Sequence, residues 1–320
     1  FATDIIEGES IVIQITEPKY TTPRSKIHVA EVIHGYRLAY GYGDSQLPCQ
    51  KDVKCGGGSG YNTEYSAVGR VVIGNLSCSG ALINTVCQDF TPYFLTAFHC
   101  IDADQNGNIS TSERNAVNSF GFRFNWISSS CNGPNDYEYY YTSGATLRSS
   151  YLDSDFALLE LDSRVETDYD LSDISFLGWD RTANPASSSR SFHHPQGDIM
   201  KAAVDNNPAT NQSNPIKVGN RIYPGNVLWS VSFDDGTVEG GSSGAPLISH
   251  NKMIVGQLLG SDLDCPPGNN SLYGRFDVSW GKNSSGNWLP GRDDTNSLAP
   301  YLDPTNTNTM SVNANWIPYI

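Results

Sequence analysis

The sequence predicts an all-β fold, a barrel or a sandwich, from three observations. Short runs rich in β-branched and aromatic residues recur from Tyr65 onward, and turn residues separate them at fairly regular intervals. Gly, Ser, Asn, Thr and Tyr are abundant, a composition typical of strands and turns. No regular alternation of strand and helix patterns occurs, which argues against βαβ units.

Ten segments carry the strand pattern, and the chain divides into regions around them. The predicted strands lie within residues 67–75, 78–85, 93–100, 118–127, 145–152, 156–162, 226–233, 246–250, 253–260 and 273–280. Residues 1–44 contain no Cys and show short alternating runs, which predicts a small N-terminal β extension, a propeptide remnant or a small module. Residues 304–320 form a C-terminal tail.

Composition and charge limit the possible partners. The formal net charge is −14, which argues against nucleic acid or an anionic membrane as the main partner. No run of 18 or more apolar residues occurs, so we expect no membrane-spanning helix. The seven cysteines are dispersed and form no C-x-x-C pair. Such spacing indicates disulfides in an oxidising compartment, so we expect a secreted monomer with at least one unpaired thiol.

Three segments supply the groups that a serine nucleophile needs. Ser243 lies in Gly-Gly-Ser-Ser-Gly-Ala-Pro, where the glycines let the chain turn and direct backbone N–H groups into one pocket. His99 ends an apolar strand and directly precedes Cys100, which favours it over the other histidines as the base. Asp155 opens an apolar segment in which an unpaired carboxylate would be costly. These residues are the predicted catalytic triad.

An α/β-hydrolase is the alternative, because residues 240–244 also match G-x-S-x-G with Ser242 as the nucleophile. That fold places its acid and its histidine after the serine. After Ser243 the sequence contains only one histidine, His250. The order His, Asp, Ser therefore favours the first interpretation.

With these residues in place, the chain resembles the chymotrypsin-like serine peptidases, and more narrowly the bacterial lysyl endopeptidase family. The matching stretches, in order over roughly residues 49–303, are AVGRVVIGNLSCSGALIN, YFLTAFHC, FNWISSSC, SGATLRSSYLDSDFALLEL, LGWDRTANPASSSRSFHHP, VEGGSSGAPL, IVGQLLG and LYGR. The resemblance implies a domain at 45–303 built of two antiparallel six-stranded β-barrels with the triad between them. It also implies hydrolysis of proteins or peptides through an acyl-enzyme, with backbone N–H groups of Gly241 and Ser243 as the oxyanion hole.

The resemblance also implies a disulfide pattern. It pairs six of the cysteines, Cys49 with Cys265, Cys55 with Cys131, and Cys78 with Cys100. Cys87 has no counterpart and is the predicted free thiol. Bridges that close long loops contribute about 2–4 kcal/mol each.

The chain departs from the family pattern at the specificity pocket. The family carries an Asp two residues before Tyr-Gly-Arg and a His after Gly-Gln-Leu, where this chain has Ser271 and Leu259. A lysine ammonium buried without a carboxylate is heavily penalised. We therefore expect an uncharged or apolar side chain before the scissile bond. The predicted pocket residues are Thr237, Leu258, Leu259, Gly260 and Ser271, with Glu239, Asp262 and Asp264 as alternative sources of a carboxylate.

A candidate metal-binding loop follows the predicted base, His99, in the sequence. Residues 102–113 match the 12-residue EF-hand calcium loop, with Gly107 at its sixth position, an apolar residue at the eighth and Glu113 at the last. A polar surface loop is the alternative interpretation. The pattern predicts a structural Ca²⁺ rather than a catalytic metal. The predicted ligands are Asp102, Asp104, Asn106, Asn108 (through its carbonyl), Ser110 and Glu113.

Two other functions remain open from the sequence. A catalytically silent homologue would act as a calcium-stabilised binding module, although the filled triad positions argue against it. A latent zymogen would be blocked by residues 1–44. Activation by insertion of a newly cut N-terminus is not expected, because Ser242 stands where mammalian trypsin-like enzymes carry an Asp.

Overall fold

A computed structural model describes residues 2–6, 8–20, 22–33, 47–134, 139–162, 174–262, 264–266 and 270–316. Two largely antiparallel sheets, each curled into a half-barrel, dominate the fold. The all-β, two-barrel prediction is therefore confirmed.

The first sheet is entirely antiparallel. Its strands are β1 Val68–Ile73, β2 Leu76–Leu82, β3 Tyr93–Ala97, β4 Gly121–Phe124, β5 Tyr140–Ser143, β6 Ala145–Tyr151 and β7 Phe156–Leu161. They lie in the order β5-β4-β1-β2-β3-β7-β6. The sheet has seven strands rather than the expected six because β5 pairs along the outer edge of β4.

The second sheet holds most of the later strands. The strands after β7, inside and outside this sheet, are β8 Ser175–Phe176, β9 Trp179–Asp180, β10 Ser189–His193, β11 Lys201–Asp205, β12 Thr210–Asn211, β13 Ile216–Val218, β14 Arg221–Tyr223, β15 Leu228–Val231, β16 Pro246–Ser249, β17 Ile254–Ser261, β18 Ser271–Arg275, β19 Ser311–Val312 and β20 Asn315–Trp316. The main order is β11-β10-β16-β17-β18-β15-β12, and β9 and β19 extend it to nine strands. Separate two-stranded pairs are formed by β13 with β14 and by β8 with β20.

The helices of the described residues are short and sit at sheet ends. The α-helices are α1 Asn62–Ser66, α2 Thr111–Ala116, α3 Phe276–Trp280 and α4 Ala299–Leu302, and 3-10 helices span Phe98–Cys100, Val117–Ser119 and Pro195–Gly197. The predicted strand at 273–280 continues only to Arg275, and its second half is α3. Helical spacing brings Phe276 and Trp280 together against the buried Trp179 ring, which explains the change.

The C-terminal region packs against the body of the protein. In α4, Ala299 and Leu302 are buried, and β19 pairs with β9. The guanidinium of Arg292 donates to the carbonyls of Val278 and Ser279 at the end of α3. The predicted tail at 304–320 thus extends the second sheet through β19 and pairs with β8 through β20, and its last four residues lie outside the described part.

The N-terminal segment differs from the predicted β extension. Residues 8–20 and 22–33 contain no strand, and their apolar side chains, Val12 most of all, are exposed. A lone strand gains little without a partner strand and a covered face. Residues 34–46, which held the rest of the prediction, lie outside the described residues.

The first residues nevertheless bind the first sheet. Arg123 in β4 is fully buried, and its Nε and Nη2 atoms donate to Asp4 at 2.9 and 2.6 Å. The backbone N–H of Ala2 donates to Ser143, and the Tyr141 hydroxyl donates to the Ala2 carbonyl. A buried guanidinium needs an anion nearby, so Asp4 is a structural part of this sheet.

Replacing Asp4 by Ala should lower the free energy of unfolding by about 2–4 kcal/mol, because the variant leaves a buried guanidinium without this carboxylate. Urea denaturation at pH 7 measures the change. Glu9→Ala, an exposed carboxylate on the same segment, is the control and should change stability little. Equal stability of the two variants would contradict this role of Asp4.

Candidate active site

The pairing of β3 with β7 brings His99 and Asp155 together. The two strands are antiparallel with Ala97 opposite Phe156, so the end of β3 meets the start of β7. His99 follows β3 in a 3-10 helix, and Asp155 immediately precedes β7. The His99 Nδ1 atom lies 2.8 Å from Asp155 Oδ2, and the backbone N–H of His99 donates to Oδ1 at 3.1 Å.

The environments of these two side chains differ. Asp155 is fully buried, whereas the His99 side chain is 29% exposed. Desolvation lowers the pKa of His99, but the charge of Asp155 and its hydrogen bond outweigh that effect, so the pKa lies above its ordinary 6.5. The carboxylate therefore favours the imidazolium and fixes the orientation of the ring. The ring remains accessible from solvent.

Ser243 is held beside His99 by β2. The Ser243 carbonyl accepts from the backbone N–H of Ser79 at 2.8 Å. The preceding residue, Cys78, forms a disulfide with Cys100, which follows His99. One bridge therefore joins the strand that holds Ser243 to the turn that carries His99.

Ser243, rather than Ser242, has the exposure that a nucleophile needs. Ser243 is partly exposed, and Ser242 is fully buried. Within the described residues no hydrogen bond joins the Ser243 hydroxyl to His99, and such bonds often tighten only when substrate binds. The structure thus supports the choice of Ser243 over the alternative at Ser242.

A backbone hydrogen bond fixes the peptide that joins Gly240 to Gly241, the residue predicted to contribute to the oxyanion hole. The Gly240 carbonyl accepts from the backbone N–H of Gln196 at 2.6 Å. Because C=O and N–H point in opposite directions across a planar peptide, this bond turns the Gly241 N–H away from Gln196. Gly241 has a φ of +90°, and a Cβ there would lie 2.8 Å from the Gln196 nitrogen, so only glycine suits the position.

The buried His193 supports the same loop from behind. Its Nδ1 lies 2.7 Å from the Ser242 hydroxyl, which also accepts from the Glu239 N–H. The Ser79 hydroxyl donates to the Gly241 carbonyl and accepts from the His194 N–H. These neutral hydrogen bonds hold the loop where trypsin-like enzymes use an ion pair with Asp.

All five predicted pocket residues are uncharged, and four of them are buried. Thr237 and Ser271 are fully buried. The Thr237 hydroxyl donates to the Asp264 carbonyl, and the Ser271 hydroxyl donates to the Ser261 hydroxyl. Leu259 packs in an apolar cluster with Tyr223, Leu228 and Leu272. Leu258 is buried, and Gly260 is partly exposed in β17.

Of the alternative carboxylates, Glu239 is buried and the two aspartates, Asp262 and Asp264, are exposed. Glu239 accepts from the backbone N–H of Leu47 and from the Gln50 amide. The carboxylates that the sequence left open are therefore solvated or already hydrogen-bonded.

The predicted calcium loop gathers three of its acidic side chains. Carboxylate oxygens of Asp102, Asp104 and Glu113 lie within 4.8 Å of one another, and Asp102 is fully buried. Backbone N–H groups of Asn106 and Gly107 donate to Asp102. Asn106, Asn108 and Ser110 engage in hydrogen bonds within the loop, and Ser110 and Glu113 form a capping box at α2.

Two residues near the site, Arg221 and Gln196, were not predicted from the sequence. Arg221, in the β13–β14 hairpin, donates to Asp102 and lies over the Phe98 ring, so it joins the second half of the protein to the loop beside His99. Gln196 adopts a φ of +52° in the turn that supports Gly240. Neither belongs to a local motif, because each acts through contacts between distant segments.

The disulfide prediction is confirmed. The bonds Cys49–Cys265, Cys55–Cys131 and Cys78–Cys100 all form, and Cys87 is a free, exposed thiol. In the described part of the chain no helix has the length and apolarity required to cross a membrane.

Comparison with known proteins identifies the family of the chain. The sequence model of the family lysyl endopeptidase, C-terminal domain, matches residues 42–276. The chain belongs to this family. A lysyl endopeptidase of Pseudomonas aeruginosa is 26% identical over 269 residues, or 77% of this chain and 52% of that protein. The chain therefore spans about half the length of this lysyl endopeptidase.

Solved protease structures align with lower similarity. The protease domain of MamO from Magnetospirillum magneticum aligns with a TM-score of 0.43 and 15% identity, over 68% of this chain and 96% of that one. A mutant, inactive form of Rv3671c from M. tuberculosis aligns with a TM-score of 0.42 and 17% identity, over 72% and 89%.

The buried histidines predict how stability depends on pH. Desolvation lowers the pKa of both His193 and His194 to about 3 in the folded protein. Between pH 6.5 and 3 the unfolded chain therefore binds more protons, and stability falls as pH falls. Replacing His193 by Asn should reduce the loss of unfolding free energy between pH 7 and pH 4.5 by about 2–3 kcal/mol.

Urea denaturation at both pH values measures this difference. The exposed His250 provides the control, because His250→Asn should lose as much stability on acidification as the wild type. A His193→Asn variant with the wild-type pH dependence would show that His193 is not held neutral in the fold.

Proposed function

We propose that this chain is a serine endopeptidase that cleaves proteins or peptides through an acyl-enzyme. The observation that carries the proposal is the buried Asp155 carboxylate on Nδ1 of a partly exposed His99, beside Ser243. Membership of the lysyl endopeptidase family supports it. The filled triad positions and the contacts between His99 and Asp155 favour an active enzyme over a silent binding module.

In the proposed reaction Ser243 Oγ attacks the scissile carbonyl carbon while His99 Nε2 takes its proton. Asp155 stabilises the imidazolium through Nδ1, and the N–H groups of Gly241 and Ser243 bind the oxyanion. His99 then protonates the leaving amine, which departs with the C-terminal product. A water molecule, deprotonated by His99, hydrolyses the ester and restores Ser243.

A phosphonylating serine-hydrolase probe tests the nucleophile. Ser243→Ala should abolish labelling and lower kcat by about 10³-fold or more, since the variant lacks the attacking oxygen. Ser242→Ala should still label, which separates the two serines. The exposed Ser285→Ala should match the wild type. Absence of an adduct on Ser243 in folded wild-type protein would overturn the proposed function.

We further propose that the side chain before the scissile bond is uncharged rather than lysine. Support comes from Thr237 and Ser271, which are buried and uncharged themselves, and from Leu259, which packs in an apolar cluster. A lysine ammonium entering this pocket would lose its hydration without gaining an ion pair.

Peptide-library profiling tests this specificity. The wild type should cleave after uncharged residues, and Ser271→Asp should raise kcat/KM for lysine by at least about tenfold because it supplies the missing anion. Ser271→Asn, a neutral side chain of the same shape, is the matched control and should not favour lysine. A strong lysine preference of the wild type would contradict the proposal.

Calcium binding at residues 102–113 stays a prediction, and the convergence of Asp102, Asp104 and Glu113 supports it. A bound ion would have to share or displace the contact of Asp102 with Arg221. Its role would be to stabilise the loop beside His99.

Millimolar calcium should raise the melting temperature of chelator-treated protein, because an ion that binds only the folded state stabilises it. Glu113→Gln should remove this shift, while Glu9→Gln, on an exposed carboxylate, should retain it. Melting that is indifferent to both calcium and chelator would exclude the EF-hand interpretation.

Secretion is part of the same proposal. Three disulfides with long sequence separations suit an oxidising compartment. A monomer and the absence of nucleic-acid or membrane partners remain predictions from the sequence and its charge.

A further inference from the structure

A buried glutamine of the second sheet reaches the turn that carries Asp155. Gln257 lies in the middle of β17 and is fully buried. Its Nε2 donates to the backbone carbonyl of Ser154 at 2.6 Å. Ser154 belongs to the β6–β7 turn of the first sheet, so this hydrogen bond crosses between the two halves of the protein.

The neighbouring strand leaves room for this contact. Gly274 in β18 lies opposite Gln257. A Cβ at Gly274 would lie 1.8 Å from the Ser154 carbonyl oxygen and 2.1 Å from Gln257 Nε2. Any side chain at 274 would therefore push the turn away from the glutamine.

The same turn has a second anchor on the second half of the protein. The hydroxyls of Ser154 and Ser279, in α3, lie 2.9 Å apart, and both residues are fully buried. Ser154 is thus held through its backbone carbonyl by β17 and through its side chain by α3.

This contact bears directly on the geometry of Asp155. The Ser154 carbonyl and the Asp155 N–H belong to one planar peptide unit, so fixing the carbonyl fixes the direction in which Asp155 begins. Asp155 has a φ of +54°, a left-handed conformation that costs a non-glycine residue free energy and persists only where surroundings impose it. The contacts of its carboxylate with His99 are made from that conformation of the turn.

We propose that Gln257 is a positioning residue for the triad, which holds Asp155 in register with His99 by hydrogen-bonding the Ser154 carbonyl. No hydrogen bond among the described residues joins Gln257 to His99 or Ser243. Gln257 acts instead through the β6–β7 turn. The inference rests on the proposed serine endopeptidase function. It assigns the second sheet a role in orienting the acid as well as in supplying Ser243.

Gln257→Met tests the proposal, because methionine keeps the length and volume of the side chain but cannot donate. We expect kcat to fall about tenfold while KM stays within about twofold, since Asp155 loses its alignment but the substrate pocket is unchanged. The acid limb of kcat/KM should move to lower pH, because a misaligned Asp155 supports the imidazolium less. Asp102 and Arg221, the other charged groups acting on His99, are unaltered.

Two further variants separate positioning from a general loss of stability. Val255→Ala removes buried volume from the same strand without touching Ser154, and it should lower the melting temperature while leaving kcat and the pH profile at wild-type values. Gly274→Ala displaces the turn sterically, and it should reproduce the kcat loss and the pH shift of Gln257→Met.

The outcomes distinguish this inference from the proposed function. Wild-type protein that forms no phosphonyl adduct on Ser243 would remove the function itself. An active wild type whose Gln257→Met variant keeps both kcat and the acid limb would overturn the role of Gln257 alone. If Gln257→Met lowers only the melting temperature, as Val255→Ala is expected to do, the proposed positioning role is also overturned. Gln257 would then be a purely structural residue.

Discussion

The candidate site depends on one buried interaction, the contact of the Asp155 carboxylate with His99. A carboxylate with no solvent exposure is stable only when its oxygens are occupied, and here one binds the imidazole and the other the His99 backbone. The adjacent strands β3 and β7 bring the two residues together. Much of the surrounding structure serves to hold this pair in place, from the bridge at Cys100 to the glutamine at 257.

The elements predicted from the sequence are those with a strong local pattern. The strands β1, β7 and β17 are dense in apolar residues, and the structure forms each of them. The strand β11 was missed because its sequence, Lys-Ala-Ala-Val-Asp, lacks the apolar alternation of a typical strand. Lys201 is buried there only because Asp52 and Asp198, which the sequence does not place nearby, neutralise it.

The same distinction applies to the site. Short motifs around His99, Asp155 and Ser243 predicted these residues as a catalytic triad. The structure brings two of them, His99 and Asp155, into contact. The residues that align them could not be predicted, because Gln196 and Gln257 act on backbone carbonyls of distant segments. A backbone atom leaves no signature in the sequence, so only strand register and turn geometry reveal such contacts. The N-terminal apolar runs show the opposite case, since their pattern predicts strands, yet residues 8–20 and 22–33 pair with no strand of the described residues.

The Cys78–Cys100 bridge has a consequence for where the chain can function. It joins the strand that holds Ser243 to the turn that carries His99, so the proposed nucleophile and base are linked by a single redox-sensitive bond. Both cysteines are buried, so a thiol could reduce the bridge only if this region opened first. The two segments would then be joined only by non-covalent contacts. Such a bridge forms in an oxidising compartment, so the proposed secretion of the chain would also set where its proposed nucleophile and base become covalently linked.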